Sequence, residues 1–399
     1  MKIPQTTWLI PVLIATALTL AGCGGSGGGG SDDDTGGSPD ERSVGKKIFF
    51  DQSLSSNGNQ SCGSCHDPAA GFADPNASSA APVSAGSFPG RFGNRNAPTA
   101  AYASFIPVFG ASTKVTPDGS SSNYKGGQFL DGRRDTLAEQ AKDPFLNPDE
   151  MNMTRTAIVT GVKNSSYANE FKQVYGANAF DDEDQTYDNI AAAIAAFESS
   201  NEVNPFTSKF DLDRANFTAS EERGFQVFND PNRGKCANCH TTDPDPISGK
   251  VLFTDYNYFN VGTPPNPNNP GAAIDGGLGD ANRNPAIPAG QQATELGKFR
   301  TPTLRNIACT APYMHNGIFE TLAEVTAHYD LTVADYIADP VFFSLVNPDK
   351  VPEVTTNIAN ELTLGLGLDN DNSDGITDYQ DLEEFLKTLS DGYPDSTCN

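Results

Sequence analysis

The amino-acid sequence predicts a mainly α-helical protein with long irregular loops, built from two similar halves. A Cys-x-x-Cys-His motif occurs twice, at residues 62–66 and 236–240, and each copy follows a short segment that contains aromatic residues. Most segments with a clear apolar pattern repeat with the period of a helix, and few alternate as strands do. Gly and Pro are abundant, at 38 and 28 residues, and they are frequent in segments such as 262–290 that we expect to be loops.

The first element is a predicted lipoprotein signal peptide at residues 1–23. Lys2 precedes an apolar run at residues 8–20, which is too short and too poorly flanked for a membrane-spanning helix. Small residues precede Cys23, as in a bacterial lipoprotein cleavage site. We expect a lipid on Cys23 and a flexible Gly/Ser/Asp tether at residues 24–40. The prediction is export to the periplasmic or cell-surface side of the outer membrane, with membrane contact only through that lipid.

The remaining elements divide the chain into two predicted domains, at residues 41–215 and 216–399. Segments 44–50 and 223–228 each read as the end of an amphipathic helix that packs aromatic side chains ahead of a Gly/Asn-rich loop. Residues 186–203 form a further amphipathic pattern, which Asn204 and Pro205 end. A last helix is predicted at 377–389, with Thr377 and Gln380 as a capping box.

The two Cys-x-x-Cys-His motifs are the attachment pattern of c-type haem, in which both thiols bind the haem and the His ligates iron. A zinc site is the alternative, but it prefers four Cys and His ligands at paired spacings and leaves the two His positions unexplained. We therefore predict two cytochrome c-like haem domains with two covalently bound haem c groups, held by Cys62, Cys65 and His66 and by Cys236, Cys239 and His240.

The other cysteines and the charge limit the remaining possibilities. Cys309 and Cys398 could form a disulfide in an oxidising periplasm, or they could be unrelated thiols, and the sequence leaves both open. The formal net charge of −25 disfavours binding to nucleic acid and to anionic surfaces. It favours a basic or neutral redox partner, although a solvated acidic surface without a partner explains it as well.

Several further motifs point to one family. They are Gly-Gly-Gln-Phe-Leu-Asp-Gly-Arg at 126–133, Thr-Leu-Ala-Glu-Gln-Ala at 136–141, Asn-Pro-Asp-Glu-Met at 147–151, Phe-Arg-Thr-Pro-Thr-Leu-Arg-Asn-Ile at 299–307 and Thr-Ala-Pro-Tyr-Met-His-Asn-Gly at 310–317. In this order, over roughly residues 40–390, the chain resembles the bacterial di-haem cytochrome c peroxidases, including MauG. The resemblance implies a peroxidatic N-terminal domain and an electron-transfer C-terminal domain.

At the first haem the resemblance implies an open iron position. Many members have a His in the loop after the first motif, but residues 67–128 contain neither His nor Met. We expect haem 1 to be five-coordinate on His66 and to react with H₂O₂ without prior reduction. The resemblance places Gln140, Pro144 and Glu150 over this open face, where Glu150 could move a proton between the peroxide oxygens. A carboxylate that favours a helix start is the alternative for Glu150.

At the second haem the resemblance places Tyr329 where many members have an axial Met, as in the His/Tyr haem of MauG. Tyr329 shares a predicted helix face with Leu322 and Val325, so an ordinary core position is the alternative. The competing ligands are Met314, His315 and His328. A His/Tyr haem is a poor electron acceptor but can store an oxidising equivalent.

Between the haems, members of the family have a relay Trp where this chain has Leu130. Its only Trp, Trp8, lies in the signal peptide. Phe129 or Tyr124 could substitute for that Trp, but Phe is hard to oxidise, so fast charge sharing between the haems is in doubt.

Two calcium sites are considered. The resemblance implies inter-haem Ca²⁺ on Asn96 and on the backbone carbonyls of Thr310 and Pro312, and oxygen ligands suit this ion. Residues 370–381 also resemble an EF-hand loop, with Gly375 at the sixth position, but a plain acidic turn explains them equally well.

Together these features predict a di-haem c-type peroxidase that reduces H₂O₂ with electrons from a donor such as a small c-type cytochrome. MauG-like oxidation of a protein or organic substrate is the alternative within the family. A non-enzymatic di-haem electron carrier and a haem-based sensor are the alternatives from other classes.

Overall fold

Helices supply most of the regular structure, as predicted. The computed structural model describes residues 38–271, 274–363, 365–368, 377–396 and 398; the predicted signal peptide, residues 24–37 of the predicted tether and residues 370–376 of the acidic loop lie outside them. The helices are α1 Glu41–Phe49, α2 Cys62–Cys65, α3 Leu137–Leu146, α4 Arg155–Asn164, α5 Ala168–Tyr175, α6 Glu183–Glu198, α7 Lys209–Leu212, α8 Ala219–Asn229, α9 Gln292–Glu295, α10 Leu322–Ala327, α11 Val333–Ala338, α12 Pro340–Val346 and α13 Asp378–Lys387.

The strands within the described residues form two small antiparallel sheets. One pairs β1, Gly110–Val115, with β2, Ser121–Lys125, and the other pairs β3, Tyr258–Phe259, with β4, Phe299–Arg300. Long loops connect these elements, so the predicted mainly α fold with irregular loops is confirmed.

Two helix pairs have the same kind of close crossing. α1 packs on α6 at Gly45, where an added Cβ would overlap the carbonyl oxygen of Ala193. α8 packs on α13 at Gly224, where an added Cβ would overlap the carbonyl oxygen of Asp381. In each pair a helix that precedes a Cys-x-x-Cys-His motif crosses a later helix through a glycine, which is the arrangement expected of a repeated module.

Each helix pair contributes to its own buried apolar cluster. The first cluster contains Ile48, Phe49, Ile194 and Phe197 from α1 and α6. The second contains Val227 and Phe228 from α8, Leu382 and Phe385 from α13, and Leu389 just after α13. The domain boundary at 215/216 remains a prediction, although it lies between the segments that build these clusters.

One helix end differs from its prediction. The amphipathic pattern predicted a helix to residue 203, but α6 ends at Glu198. The side-chain amide of Asn204 turns back and donates to the carbonyl oxygens of Glu198 and Ser200, at 2.7 and 2.9 Å. These bonds satisfy carbonyls that a longer helix would have used, so the chain leaves the helix before Pro205.

The C-terminal segment is tied to the rest of the fold. Cys309 and Cys398 form a disulfide, with their Cα atoms 4.8 Å apart. The structure thus selects one of the two alternatives that the sequence left open. No described helix is both long and apolar enough to cross a membrane.

Candidate functional site

The first Cys-x-x-Cys-His motif presents its thiols and its imidazole from one short turn. Cys62 and Cys65 begin and end α2, and both are half-buried. His66 follows, and its Nδ1 lies 3.1 Å from the carbonyl oxygen of Phe72. Because a carbonyl only accepts, Nδ1 carries the proton and leaves Nε2 as the nitrogen for a metal. Burial lowers the pKa of His66, which favours the neutral ligand form.

The second motif repeats this arrangement. Cys236 begins a 3₁₀ turn, Cys239 follows it, and both thiols are half-buried. His240 Nδ1 lies 2.9 Å from the carbonyl oxygen of Phe253, and burial again lowers the pKa of the imidazole. Phe72 and Phe253 both have a positive φ, 59° and 52°, which is uncommon for an aromatic residue. The same backbone strain thus positions both carbonyl groups.

These donor sets fit the haem groups that the motifs predict. Each site offers two thiols and one imidazole with its tautomer fixed. Arg300 is a buried cation whose guanidinium donates to the carbonyl oxygen of Phe129 at 3.3 Å, and no carboxylate of the described residues lies within ion-pair distance of it. A buried cation needs a compensating anion, and a haem propionate has the required charge.

Glu150 lies near the thiols of the first site. Its carboxylate influences the pKa of both Cys62 and Cys65. Glu150 Oε1 accepts from Asn147 Nδ2 at 2.9 Å, and burial raises the pKa of Glu150. Glu150 is in the turn between α3 and α4, outside both helices, so the alternative of a helix-start carboxylate is wrong.

Gln140 and Pro144 lie one turn apart on the same side of α3. No hydrogen bond within the described part of the chain uses the side-chain amide of Gln140, so this amide is available to a ligand. The Pro144 carbonyl accepts from the Met151 backbone at 3.2 Å, which joins the end of α3 to the turn that carries Glu150. The structure therefore joins Pro144 to the turn that carries Glu150, and Gln140 lies one helical turn before Pro144.

Tyr329 lies on an irregular turn beside the second site. A π-helical turn, His328–Thr332, follows α10 directly, and such turns are frequent at functional sites. Burial raises the pKa of the Tyr329 phenol, as do the thiols of Cys239 and Cys236, which places the phenol near them. The Tyr329 hydroxyl lies 3.9 Å from Met314 Sδ.

The two competing histidines have other partners. His328 Nε2 lies 2.9 Å from the carbonyl oxygen of Val261. The His315 ring stacks on Phe299 at 3.9 Å, and its Nε2 lies 3.2 Å from the carboxylate of Glu353. Of the three competing ligands, Met314 contacts Tyr329 through its sulfur, the atom that could ligate iron.

The segment around Leu130, the residue at the position of the family's relay Trp, lies against β4. The Leu130 carbonyl accepts from the Arg300 backbone at 2.9 Å, and the Arg133 guanidinium covers the Phe129 ring at 3.4 Å from its centroid. Tyr124 instead stacks on Phe109, at 5.2 Å between ring centroids. Of the two residues considered as substitutes for the relay Trp, Phe129 therefore lies next to Leu130, whereas Tyr124 belongs to a separate aromatic pair.

Two of the three predicted calcium ligands meet. The Asn96 side-chain amide donates to the Pro312 carbonyl. The third predicted ligand is the backbone carbonyl of Thr310, two residues before Pro312 in the chain. Turning the Asn96 amide over would direct its oxygen to the same place. The described residues contain no group of three or more His, Cys, Asp or Glu that could hold a metal.

The sequence pattern did not single out two buried charged residues. Arg300 is part of the 299–307 motif, but nothing in the motif reveals that it lacks a carboxylate partner. Glu198 lies at the end of α6, and the sequence pattern indicated only an ordinary helix position there. It is 6% exposed, its Oε2 has no hydrogen-bond partner among the described residues, and its charge acts on Cys62.

Comparisons with known proteins identify one family. The family described as di-haem cytochrome c peroxidase matches residues 39–216. The methylamine utilization protein MauG of Paracoccus denitrificans is 35% identical over 358 residues, which cover 87% of this chain and 88% of that protein. Cytochrome c551 peroxidase of Nitrosomonas europaea is 32% identical over 291 residues, which cover 71% of each chain. The di-haem peroxidase BthA of Burkholderia thailandensis superposes with a TM-score of 0.72 and 32% identity, over 88% of this chain and 86% of that chain.

Proposed function

Since the chain belongs to the bacterial di-haem cytochrome c peroxidase family, which includes MauG, we propose that it reduces H₂O₂ at the first haem site and passes or stores the oxidising equivalents at the second. When bound, the two haems supply the redox-active iron for both tasks. The observation that carries the proposal is the position of Glu150, a half-buried carboxyl with a raised pKa near the thiols of the first site.

At the first site, three side chains prepare the peroxide. His66 would hold the haem iron through Nε2, and the free amide of Gln140 would orient the peroxide by hydrogen bonding. Asn147 fixes Glu150 through Oε1, so Oε2 is the atom that takes a proton from one peroxide oxygen and returns it to the other. The raised pKa suits this exchange, because burial makes the carboxyl a better proton acceptor than an ordinary Glu side chain.

At the second site, His240 and Tyr329 are the residues that would hold the haem iron. An anionic phenolate favours the oxidised states of iron, so this site is suited to hold an oxidising equivalent. The Arg300 guanidinium would compensate the charge of a haem propionate, and the Arg300 backbone N–H donates to the Leu130 carbonyl. The proposed electron donor is a small c-type cytochrome or another redox protein.

The location and the calcium site complete the proposal. We infer a periplasmic or cell-surface enzyme, held at the outer membrane by a lipid on Cys23, which lies outside the described residues. Asn96, Thr310 and Pro312 are the proposed ligands of one Ca²⁺. The meeting of Asn96 with the Pro312 carbonyl supports this assignment.

A MauG-like oxidation of a protein or organic substrate is the second candidate. Tyr329 beside the second site favours it, because a His/Tyr haem accepts electrons poorly from ordinary cytochromes. The 35% identity to MauG of Paracoccus denitrificans is consistent with it.

The first test mixes the ferric full-length holoprotein with H₂O₂ in a stopped-flow spectrometer. We expect reaction without prior reduction, and a rate about 10²- to 10⁴-fold lower for Glu150→Gln, which is the range of general acid–base catalysis. The matched control is Glu202→Gln, at an exposed carboxylate paired with Lys46, which should react at the wild-type rate. Equal rates for both variants would remove Glu150 from the mechanism.

A further inference from the structure

Met314 and Tyr329 meet at the second site in an unusual arrangement. The Tyr329 hydroxyl has one hydrogen-bond partner among the described residues, Met314 Sδ at 3.9 Å. Tyr329 is half-buried, and a phenol inside a protein usually finds a full-strength acceptor, whereas a thioether is a weak one. The protein therefore leaves this hydroxyl nearly unsatisfied, directed at a sulfur atom that is itself a ligand for soft metal ions.

The backbone of Met314 is strained where it presents this sulfur. Its φ is 72°, in the left-handed region that a long side chain rarely adopts. Hydrogen bonds on both sides hold the strain: the Tyr313 backbone donates to the Phe319 carbonyl at 2.7 Å, and the His315 carbonyl accepts from the Asn96 backbone at 2.8 Å. Strain of this kind persists where the surrounding structure imposes it, and it concentrates at functional sites.

We propose that Met314 is a second, reduction-linked ligand of the haem at the second site, with Tyr329 bound in the ferric state and Met314 in the ferrous state. The inference rests on the proposed function, in which Tyr329 is the ferric ligand. A hard phenolate prefers ferric iron and a soft thioether prefers ferrous iron, so the two side chains are suited to opposite oxidation states.

The exchange needs one electron and one proton. The electron comes from the donor protein and reduces ferric iron to ferrous. The bond between iron and the Tyr329 oxygen breaks, and the phenolate takes up one proton from water. Met314 Sδ then donates an electron pair and forms the new bond, while His240 stays bound.

The consequence is an electron acceptor that Tyr329 alone would not provide. Phenolate ligation opposes reduction, whereas thioether ligation stabilises the reduced state. With both side chains in reach, the second site can hold an oxidising equivalent in one state and retain a donated electron in the other.

The test compares CO binding by the fully reduced, full-length holoprotein with that of Met314→Leu, a substitution of similar volume. The wild type should bind CO rapidly at one haem per chain, because Met314 blocks the second. Met314→Leu should bind CO rapidly at both, and its ferrous spectrum should lose the low-spin component. Met153→Leu, at a half-buried methionine in the first core cluster, is the matched control and should behave as the wild type.

A second variant tests the same inference in the ferric state. In Tyr329→Phe, Met314 should take the vacant position and produce a thioether-to-iron charge-transfer band, and the double variant with Met314→Leu should lack it. The inference is overturned if Met314→Leu matches Met153→Leu in CO binding, or if Tyr329→Phe has no thioether band. A Tyr329→Phe ferric spectrum identical to the wild type would instead overturn the assignment of Tyr329 itself.

Discussion

The two Cys-x-x-Cys-His sites are nearly identical around the histidine, and we propose that they differ in the residues that face it. His66 and His240 each donate through Nδ1 to a phenylalanine carbonyl, so the proximal ligands have the same tautomer and similar surroundings. The difference in chemistry must therefore come from the facing residues. Glu150 is proposed at the first site, and Tyr329 with Met314 at the second.

Glu198 gives a prediction on pH dependence. Burial raises its pKa from 4.5 to about 8. Between these values the folded protein keeps a proton that the unfolded chain has lost, so stability falls as pH rises, by about 1.4 kcal/mol per pH unit. We expect Glu198→Gln to lose this dependence. The measurement is denaturant unfolding at pH 5, 7 and 9.

The control for this prediction is Glu202→Gln, at an exposed residue that pairs with Lys46 at 2.6 Å. It should keep the wild-type pH dependence of stability. If Glu198→Gln and Glu202→Gln lose stability in parallel between pH 5 and 9, the carboxyl of Glu198 is not the group responsible.

At the residue scale, the sequence predicted those residues whose role follows from their immediate neighbours in the chain. The thiols and histidines follow from a five-residue motif, and that motif folds as one turn. The contact between Met314 and Tyr329 does not follow from such a pattern, because it joins side chains from separate segments through a strained backbone. The missing partner of Arg300 is likewise a property of its surroundings.

At the scale of the helices, the two glycine crossings are the main determinants of packing. Gly45 and Gly224 let one helix approach the backbone of another so closely that a side chain would overlap a carbonyl oxygen. Because a backbone carbonyl cannot move away as a flexible side chain does, the helices would have to separate. The apolar clusters beside Phe197 and Phe385 would then lose contact.

We therefore predict that Gly45→Ala and Gly224→Ala each lower the free energy of unfolding by about 1–3 kcal/mol, as overpacking does. Gly290→Ala is the control, since nothing lies within 4 Å of its added Cβ, and it should change stability by less than about 0.5 kcal/mol. Denaturant unfolding of the three variants measures this. A Gly45→Ala variant as stable as Gly290→Ala would contradict the close crossing.

Helix types were easier to predict than helix ends. The capping box of Thr377 and Gln380 forms as expected at the start of α13. The predicted end of α6 was wrong because the apolar pattern continues past Glu198. The hydrogen bond from the Asn204 side-chain amide to the Glu198 carbonyl decides where the chain leaves the helix. The π-helical turn at Tyr329 has no signature in the apolar pattern either.

For the whole molecule, the strongest long-range property is its charge. A formal net charge of −25 creates a negative field that attracts cations before contact. We predict that peroxide turnover with a basic cytochrome as donor falls at least tenfold as ionic strength rises from low to physiological values or above. Steady-state kinetics in a salt series measure this dependence.

A neutral phenolic reductant is the control in that salt series, because an uncharged donor is not steered by the field. Its turnover should stay within about twofold across the same range, since screening acts on charged encounters. A basic cytochrome whose turnover does not depend on salt would mean that the acidic surface is solvated and has no part in partner binding.

The overall architecture was predictable because the two motifs, the helix patterns and the family resemblance agree over most of the chain. The positions of the loops between the haem sites were not, since their conformation depends on buried hydrogen bonds such as that between Arg300 and Leu130.

In the proposed function the first haem is open and the second is closed in the ferric protein. The decisive measurement is low-temperature electron paramagnetic resonance before and after one equivalent of H₂O₂. We expect one high-spin and one low-spin ferric haem, with both signals changing on peroxide addition without prior reduction. Two low-spin haems that do not respond to peroxide would contradict it and would leave an electron carrier or a peroxidase that must first be reduced.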